Sequence, residues 1–259
     1  NPQLPVFVRG TASLLPETSE AWNVGAVWRP SALENQSWSD SVTFEVNYAN
    51  IRIDDAIQAA DPNTVMTLCA TTGQCSTISR SPSGAVRSID DPLTNAGFVE
   101  TRAVDFTFAW VSPETSAGQF EIRSFTSHLI EFIDGATTPA VSREGTERGS
   151  PSQGYPEWKS SNTLNWTLGA WGASLTNRYT SSLIETANGG TEMDAYNVWD
   201  IQGRLTPSWL DDRVTLAVGV NNLFDEETPG CFSCDVNNMD PSVHDVPGRV
   251  GYVRLAYRN

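Results

Sequence analysis

The stretch Val214-Thr215-Leu216-Ala217-Val218-Gly219-Val220-Asn221 decides the fold. Its even-numbered residues are Val or Leu, whereas its odd-numbered residues are Thr, Ala, Gly and Asn. Residues two apart in a β-strand point to the same side of the sheet. This period of two therefore predicts a strand with one apolar face and one face of small or polar side chains.

The same alternation recurs along most of the chain and predicts about nine strands, with almost no helix. Several of these segments have about ten residues or more, which is longer than the usual globular strand of about five or six. Clear alternation is found at 22–28, 42–48, 104–110, 164–170, 199–205 and 251–257, and weaker alternation at 120–132 and 171–179.

The predicted connections between these strands alternate in length. Alternating short and long connections are typical of an antiparallel up-and-down meander, which has short turns at one rim and long loops at the other. The shorter connections lie near 31–40, 113–118, 169–172 and 207–212, and the longer ones span 58–94, 134–155, 187–194 and 226–246.

Alternation alone does not decide whether the apolar face meets lipid or a second sheet. In a β-sandwich the same pattern would bury Leu216 and Phe106 between two sheets. Three features favour a transmembrane β-barrel. Strands of about ten residues match a tilted crossing of the hydrocarbon layer, the polar face is rich in small residues and amides, and tryptophans lie near strand ends as in interfacial girdles. Those tryptophans are Trp22, Trp28, Trp110 and Trp171.

Composition and charge exclude several classes of protein. The 259 residues include 31 acidic and 16 basic side chains, a net charge of -15, and Lys159 is the only lysine. Binding to nucleic-acid phosphates depends on clustered Lys and Arg, so a nucleic-acid partner is not expected. No run of about 18 or more apolar residues occurs, which excludes a transmembrane helix.

The four cysteines form two closely spaced pairs, Cys69 with Cys75 and Cys231 with Cys234. We expect two short loop-closing disulfides formed in an oxidising compartment. A single CxxC also occurs in redox sites and as half of a zinc site, but redox use needs a βαβ context and zinc needs more ligands. His244 keeps the zinc alternative open, although no metal site is predicted.

No motif of an enzyme or of a cofactor site is present. The nucleophile elbow, the P-loop, HExxH and the dinucleotide fingerprint are all missing from the sequence. Neighbouring acids such as Asp54 and Asp55 would point to opposite faces of a strand, which does not suit paired catalytic carboxylates. We therefore expect no enzyme activity and no cofactor.

Two motifs near the C-terminal end carry a family resemblance. An NNLFD segment follows the decisive strand, and a PGR segment leads into the last strand after a loop. Together they closely resemble the end of TonB-dependent outer-membrane receptors, and similarity in the family's order extends over nearly the whole chain. The residues are Asn221, Asn222, Leu223, Phe224 and Asp225, followed by Pro247, Gly248 and Arg249.

We interpret these motifs as barrel architecture and not as ligand contacts. Asn221 and Asn222 can satisfy backbone groups where the strand frays into its loop. Pro247 has no N–H to donate and suits the first residue of a strand, while Gly248 permits a tight return of the chain.

The resemblance implies a 22-stranded barrel that is filled by an N-terminal plug and contacts TonB through that plug. Residues 1–259 would then be the C-terminal part of the barrel, in the bacterial outer membrane, without the plug and the N-terminal strands. The implied partners are membrane lipid and lipopolysaccharide, the TonB complex and a small nutrient ligand. About nine strands cannot enclose a plug and would leave open edges, so this section alone is not expected to transport. It also ends in Arg258 and Asn259, where the family usually has an aromatic residue.

The implied function is import of a scarce nutrient, which could be siderophore-bound iron, an oligosaccharide or a vitamin. The loops lack basic clusters for an anionic chelate, which favours a carbohydrate or another neutral nutrient. Candidate contacts on the long loops are Tyr155 and Trp158, for stacking, and Phe232 beside the cysteine pair. A secreted β-sandwich that binds carbohydrate or acts as an adhesin is the alternative.

Overall fold

The computed structural model describes residues 4–60, 62–95, 97–135, 140–149, 152–211 and 213–258. Within these residues it contains nineteen strands, the helix α1 (Pro62–Thr72) and three 3-10 turns, Ser31–Leu33, Thr186–Asn188 and Ser208–Leu210. The strands are β1 (Val6–Arg9), β2 (Thr18–Trp28), β3 (Ser41–Asp54), β4 (Ile57–Gln58), β5 (Ile78–Arg80), β6 (Val86–Pro92), β7 (Thr94–Asn95), β8 (Phe98–Val111), β9 (Gln119–Asp134), β10 (Val141–Ser142), β11 (Thr146–Glu147), β12 (Gly154–Tyr155), β13 (Trp158–Leu168), β14 (Trp171–Thr180), β15 (Leu183–Glu185), β16 (Thr191–Met193), β17 (Tyr196–Leu205), β18 (Val214–Asn221) and β19 (Val250–Tyr257).

Nine long strands form one sheet, in the order β19-β18-β17-β14-β13-β9-β8-β3-β2, and the short β10 pairs with β9. Each of the nine lies beside the long strand that follows it in the chain, so the sheet is an up-and-down meander. Strand β9 is the longest, with 16 residues. The predicted all-β fold with about nine long antiparallel strands is confirmed.

The chain divides into two compact units. Unit 1 consists of residues 1–22, 50–101 and 132–142, and unit 2 of residues 23–49, 102–131 and 143–259. Strands β2, β3, β8 and β9 contribute residues to both units, whereas β13, β14, β17, β18 and β19 belong wholly to unit 2.

The apolar face of the sheet in unit 2 is exposed. On the last two strands Leu216 pairs with Leu255, and Val218 pairs with Val253. Leu255 is 72% exposed, and Phe106, on β8, is 44% exposed. A sandwich would bury these side chains under a second sheet, so the alternative fold is not favoured.

The opposite face is polar and is closely packed at one point. Gly219 pairs with Tyr252, whose hydroxyl donates a hydrogen bond to Gln202 Oε1 at 3.0 Å. A Cβ atom at Gly219 would lie 2.6 Å from the Tyr252 ring. A glycine is therefore required here because the tyrosine ring lies across the neighbouring backbone.

Polar residues interrupt the apolar face near the middle of the sheet. Ser124 pairs with Asn162, which pairs with Asn177, in register with Leu164 and Leu175 on the same face. The Ser124 hydroxyl donates to Asn162 Oδ1 at 2.6 Å, and Asn162 Nδ2 donates to Asn177 Oδ1 at 3.4 Å. These side chains form hydrogen bonds with one another across the strands. The bonds lower the free-energy cost of placing polar atoms on an apolar surface.

Unit 1 contains secondary structure that sequence periodicity did not predict. Helix α1 lies inside the segment that was expected to be one long connection, and the disulfide Cys69–Cys75 closes its C-terminal end. Strand β6 pairs with β5 and, in parallel, with β1. Ile89, on β6, is 2% exposed. Among the described residues no helix is both long and apolar enough to cross a membrane.

Candidate ligand-binding site at the loop end of unit 2

The connections at the two ends of the sheet in unit 2 differ. At one end, which we call the turn end, β8 joins β9, β13 joins β14 and β17 joins β18 through short turns. At the other, the loop end, β14 joins β17 and β18 joins β19 through longer segments, and β11 and β12 precede β13. Four short strands at the loop end form a separate sheet in the order β12-β11-β15-β16.

This small sheet has its own apolar core. Leu183 and Met193 are each 1% exposed and pack with the Cys231–Cys234 disulfide. The structure thus contains both disulfides that the cysteine spacing predicts. Glu147 lies near the two sulfur atoms. Because both sulfurs are bonded to each other, they are not available as metal ligands, and the zinc alternative is not favoured.

A buried carboxylate attaches the cysteine turn to the small sheet. Glu185, on β15, is 0% exposed. Its side chain accepts a hydrogen bond from the backbone N–H of Ser233, inside the turn, and another from Asn188 Nδ2 at 3.3 Å. Burial acts to raise the pKa of Glu185, but the hydrogen bonds from Ser233 outweigh it and hold the pKa below the usual value. Glu185 therefore stays ionised.

A pair of buried acids links β11 to the last long loop. Glu147 and Asp240 are each 0% exposed. Glu147 Oε1 accepts from the backbone N–H groups of Gly149 and Gln153, both at 2.9 Å. Asp240 accepts from the backbone and the hydroxyl of Ser242, at 2.8 and 2.7 Å. Burial and the hydrogen bond with Asp240 raise the pKa of Glu147 to about 7.

The pair therefore takes up a shared proton as the pH falls through about 7. Burial also acts to raise the pKa of Asp240, but the hydrogen bonds from Glu147 and Ser242 outweigh it, so that its pKa is lowered. Glu147 is consequently the acid that keeps the proton, and Asp240 is the acceptor.

His244 lies beside this pair. The side chain is 5% exposed, and its ring meets the Tyr196 ring edge-on, with the centroids 5.4 Å apart. Among the described residues neither ring nitrogen has a hydrogen-bond partner. Burial lowers the pKa of His244, against the opposing charge of Asp240, so the imidazole is neutral at neutral pH.

A cavity of about 430 Å³ opens between the loop and the polar face of the sheet. One row of its wall crosses four strands, because Lys159 pairs with Ser127 and with Thr180, which in turn pairs with Tyr196. The lining residues are Phe125, Ser127, Lys159, Ser160, Ser161, Arg178, Tyr179, Thr180, Tyr196, Pro241, Ser242, Val243, His244 and Asp245.

The two cations of this cavity differ in their partners. Arg178 Nε lies 3.0 Å from Asp200 Oδ2, and Arg178 also forms an ion pair with Asp245. Lys159 makes no ion pair with any of the described residues. Its charge nevertheless acts on the His244 ring. Lys159 is thus the cation of the cavity that is available to pair with a ligand.

The three predicted ligand contacts lie in different surroundings. Tyr155 is 8% exposed, within β12. Phe232 is 68% exposed, between the two bonded cysteines. Trp158 is 40% exposed and stacks on His128 with the ring centroids 4.0 Å apart, on the same face as Leu164. Their ligand roles stay predictions.

The NNLFD and PGR motifs meet at the same end. Asn222 adopts a left-handed backbone (φ 52), and its side chain exchanges two hydrogen bonds of 2.8 Å with the backbone of Glu226. Asp225 Oδ1 accepts from the backbone N–H of Arg249 at 2.8 Å, and the two side chains form an ion pair at 3.6 Å. A Cβ atom at Gly248 would lie 3.0 Å from Asp225 Oδ1, so the aspartate approaches the backbone closely.

Sequence reasoning missed Lys159 and the Glu147–Asp240 pair as members of a site. The signal for Lys159 was available, since it is the only lysine. The alternation of β13 also puts it on the polar face. Nothing in the sequence brings Glu147 next to Asp240, because the contact depends on how two distant loops pack.

A meander of long strands with one exposed apolar face, tight turns at one end and folded loops at the other defines the wall of an outer-membrane β-barrel. The family described as TonB dependent receptor-like, beta-barrel, matches residues 1–223. The chain therefore belongs to this family, whose members lie in the bacterial outer membrane.

Solved structures from Pseudomonas aeruginosa, Escherichia coli and Neisseria meningitidis have similar folds. The ferric enterobactin receptor of Pseudomonas aeruginosa is 13% identical, with a TM-score of 0.59 over 96% of this chain and 32% of its own. The outer membrane transporter YddB of Escherichia coli is 11% identical, with a TM-score of 0.60 over 98% of this chain and 34% of its own. The FrpB iron transporter of Neisseria meningitidis is 13% identical, with a TM-score of 0.57 over 97% and 32%.

At this level of identity the likeness shows the fold alone. The chain spans about a third of the length of these solved proteins. No curated protein matches it.

Proposed function

We propose that this chain forms part of the wall and outer rim of an outer-membrane importer for a small, scarce nutrient. The ligand enters at the loop end, and TonB supplies the energy. The observation that carries the proposal is the difference between the two ends of unit 2: the turn end reverses the chain in short turns, while the loop end has its own sheet, core, disulfide and cavity. Binding residues are commonly found on loops that a rigid scaffold positions.

We propose that a plug and further strands complete the barrel and that TonB acts on the plug. The apolar face of the sheet then contacts membrane lipid and lipopolysaccharide. In this arrangement the polar face lines the interior, on the side where Lys159 and the cavity lie.

Two of the solved proteins are named as a ferric enterobactin receptor and an iron transporter, which suggests iron as one class of nutrient. The lack of basic clusters on the loops favours a carbohydrate or another neutral nutrient. Phe232 is the most exposed of the three predicted aromatic contacts. We propose it as a contact at the rim, and Tyr155 and Trp158 stay candidates.

Growth under nutrient limitation tests the importer directly. A strain that lacks the receptor gene is compared with the complemented strain on limiting ferric enterobactin and, separately, on limiting sugars and sugar acids. We expect the deletion to impair growth on one of these nutrients, and inactivation of TonB to impair it equally. Growth that is insensitive to the deletion on every nutrient, or uptake that continues without TonB, contradicts the proposal.

Complementation with the Phe232→Ala and Trp158→Ala variants then tests the rim contacts. Loss of a stacking face is expected to weaken uptake at low nutrient concentration and to spare it at high concentration. Phe232→Tyr, which keeps the ring, serves as the control. A variant with unchanged uptake at low concentration is removed from the set of contacts.

A further inference from the structure

The cavity at the loop end has properties that a barrel wall does not require. Its volume of about 430 Å³ falls within the range of roughly 300–1,000 Å³ that is usual for small-molecule sites. Phe125 and Val243 supply apolar surface, while Ser127 and Ser161 supply hydroxyls. A mixed lining of this kind suits a compact ligand that has an apolar side and several hydroxyl groups.

His244 is the first sign that a ligand belongs there. It is more than nine-tenths buried and lines the cavity, yet neither ring nitrogen is hydrogen-bonded to a described residue. A neutral imidazole offers one donor and one acceptor. Burying both without partners is unfavourable, since most buried polar groups are satisfied. One hydroxyl group of a ligand can donate to the bare ring nitrogen, and a second can accept from the ring N–H.

Lys159 is the second sign, and it is independent of the first. The chain carries a net charge of -15 and has this one lysine, which lines the cavity without an ion-pair partner. Its ammonium group is suited to a carboxylate.

The surrounding charges limit the number of negative charges on the ligand. Arg178 is shared by Asp200 and Asp245, which leaves one excess negative charge on that group. Arg178 is therefore not available to a ligand, and Lys159 is the cation of the cavity that can accept a carboxylate. A ligand with two or three carboxylates would have only one of them paired, and the others would be repelled by these aspartates.

We propose that this cavity binds a compact hydroxylated monocarboxylate, a sugar acid in chemical class, with its carboxylate on Lys159 and a hydroxyl group on the His244 ring. The proposal rests on the proposed function, because it names the class of nutrient that the importer takes up.

The test measures binding to the receptor purified from outer membranes in detergent, by calorimetry. The probes are D-glucuronate, D-glucose as the uncharged match, and citrate as a ligand with several carboxylates. We expect saturable binding of glucuronate that is about tenfold or more tighter than that of either comparison ligand. Equal binding of glucuronate and glucose, tighter binding of citrate, or no saturable binding overturns the proposal.

Variants connect the binding to the cavity. Lys159→Gln is expected to weaken glucuronate binding about tenfold and to leave glucose unaffected, while Lys159→Arg keeps most of the affinity. Arg204→Gln, on the same polar face but at the turn end, is the matched control. Lys159 is exposed, so Lys159→Gln should fold; an unchanged melting temperature checks this. Wild-type affinity in Lys159→Gln overturns the proposal.

The two proposals fail in different ways. If TonB-dependent growth requires the receptor but purified receptor does not distinguish glucuronate from glucose, the importer stands and the sugar-acid site is wrong. If deletion of the receptor affects growth on no nutrient, the importer is wrong, and the binding measurements still decide what the cavity recognises.

Discussion

The turn end and the loop end of unit 2 bury different kinds of polar group. At the turn end the buried polar side chains among the described residues are hydroxyls, Ser39 and Ser112. At the loop end they include the carboxyl groups of Glu147, Glu185 and Asp240. Burying a single hydroxyl costs less free energy than burying a carboxyl group, which needs several hydrogen-bond donors. The loop end therefore has a specific three-dimensional arrangement to maintain, and the turn end has only to reverse the chain.

The largest expected effect follows from removing the carboxylate under the cysteine turn. Glu185→Ala leaves the partly buried N–H of Ser233 without its acceptor, and the N–H of Phe232 loses the same acceptor. Each unsatisfied buried donor costs about 1–3 kcal/mol, so we expect the opening free energy of the turn to fall by roughly 3–5 kcal/mol. Hydrogen exchange of residues 226–249 in the purified receptor measures this change.

Glu192→Ala provides the matched control for that experiment. It is the same substitution on the adjacent strand β16, at an exposed position. Exposed substitutions usually change stability by less than about 0.5 kcal/mol. Equal protection of the turn in both variants would show that Glu185 does not attach it to the sheet.

A smaller effect is expected from the shared proton of Glu147 and Asp240. The pKa of Glu147 in the folded loop is about 7, above its ordinary value of 4.5. The fold thus favours the protonated acid, and this stabilisation is complete below about pH 4.5 and is lost as the pH rises through about 7. The difference between the two pKa values corresponds to at most roughly 3 kcal/mol.

The measurement compares hydrogen exchange of the loop end at about pH 5 and about pH 8.5, after correction for the intrinsic exchange rate. The loop end should open more easily at the higher pH. Glu147→Gln, which stays neutral, should remove this dependence and leave only the opposite dependence of His244, whose lowered pKa makes low pH unfavourable to the folded loop. The turn end should show neither. A loop end that is equally protected at both pH values in the wild type contradicts the shared proton.

At the turn end the expected effects are local and small. Gly169 lies between β13 and β14 with a left-handed backbone (φ 54), and a Cβ atom added there would contact nothing within 4 Å. Gly169→Ala should therefore cost only backbone strain, about 1 kcal/mol. Urea titration of the purified receptor measures the change in the free energy of unfolding.

Gly203→Ala tests whether that cost comes from the backbone. Gly203 lies on β17, has a regular strand backbone and has equally open space around its Cα atom. Here alanine should be neutral or slightly stabilising, because it restricts the unfolded chain. If both variants lose the same stability, the left-handed conformation of Gly169 is not the cause.

The sequence predicts the structure of the turn end better than that of the loop end. Strand alternation predicts the long strands and the short turns because it is a local property of a sheet with two unlike faces. It does not predict the loop end, where Glu147 and Asp240 meet although they are far apart in the chain. Helix α1 was missed for a related reason: a short helix closed by a disulfide needs little apolar periodicity.

The smallest expected effect on stability concerns the outermost part of the loop end. Phe232 is 68% exposed, although it lies next to Ser233, whose backbone is held by Glu185. Little apolar surface is lost from the core in Phe232→Ala, so hydrogen exchange of the turn should change by less than about 0.5 kcal/mol. Nutrient uptake at low concentration should nevertheless weaken, since the ring is proposed to contact the ligand. Phe232→Tyr should leave both measurements unchanged. Strong loss of hydrogen-exchange protection in Phe232→Ala would instead show that the ring stabilises the folded loop. The distinction between a buried part of the loop held by Glu185 and an exposed surface that contacts the ligand would then be wrong.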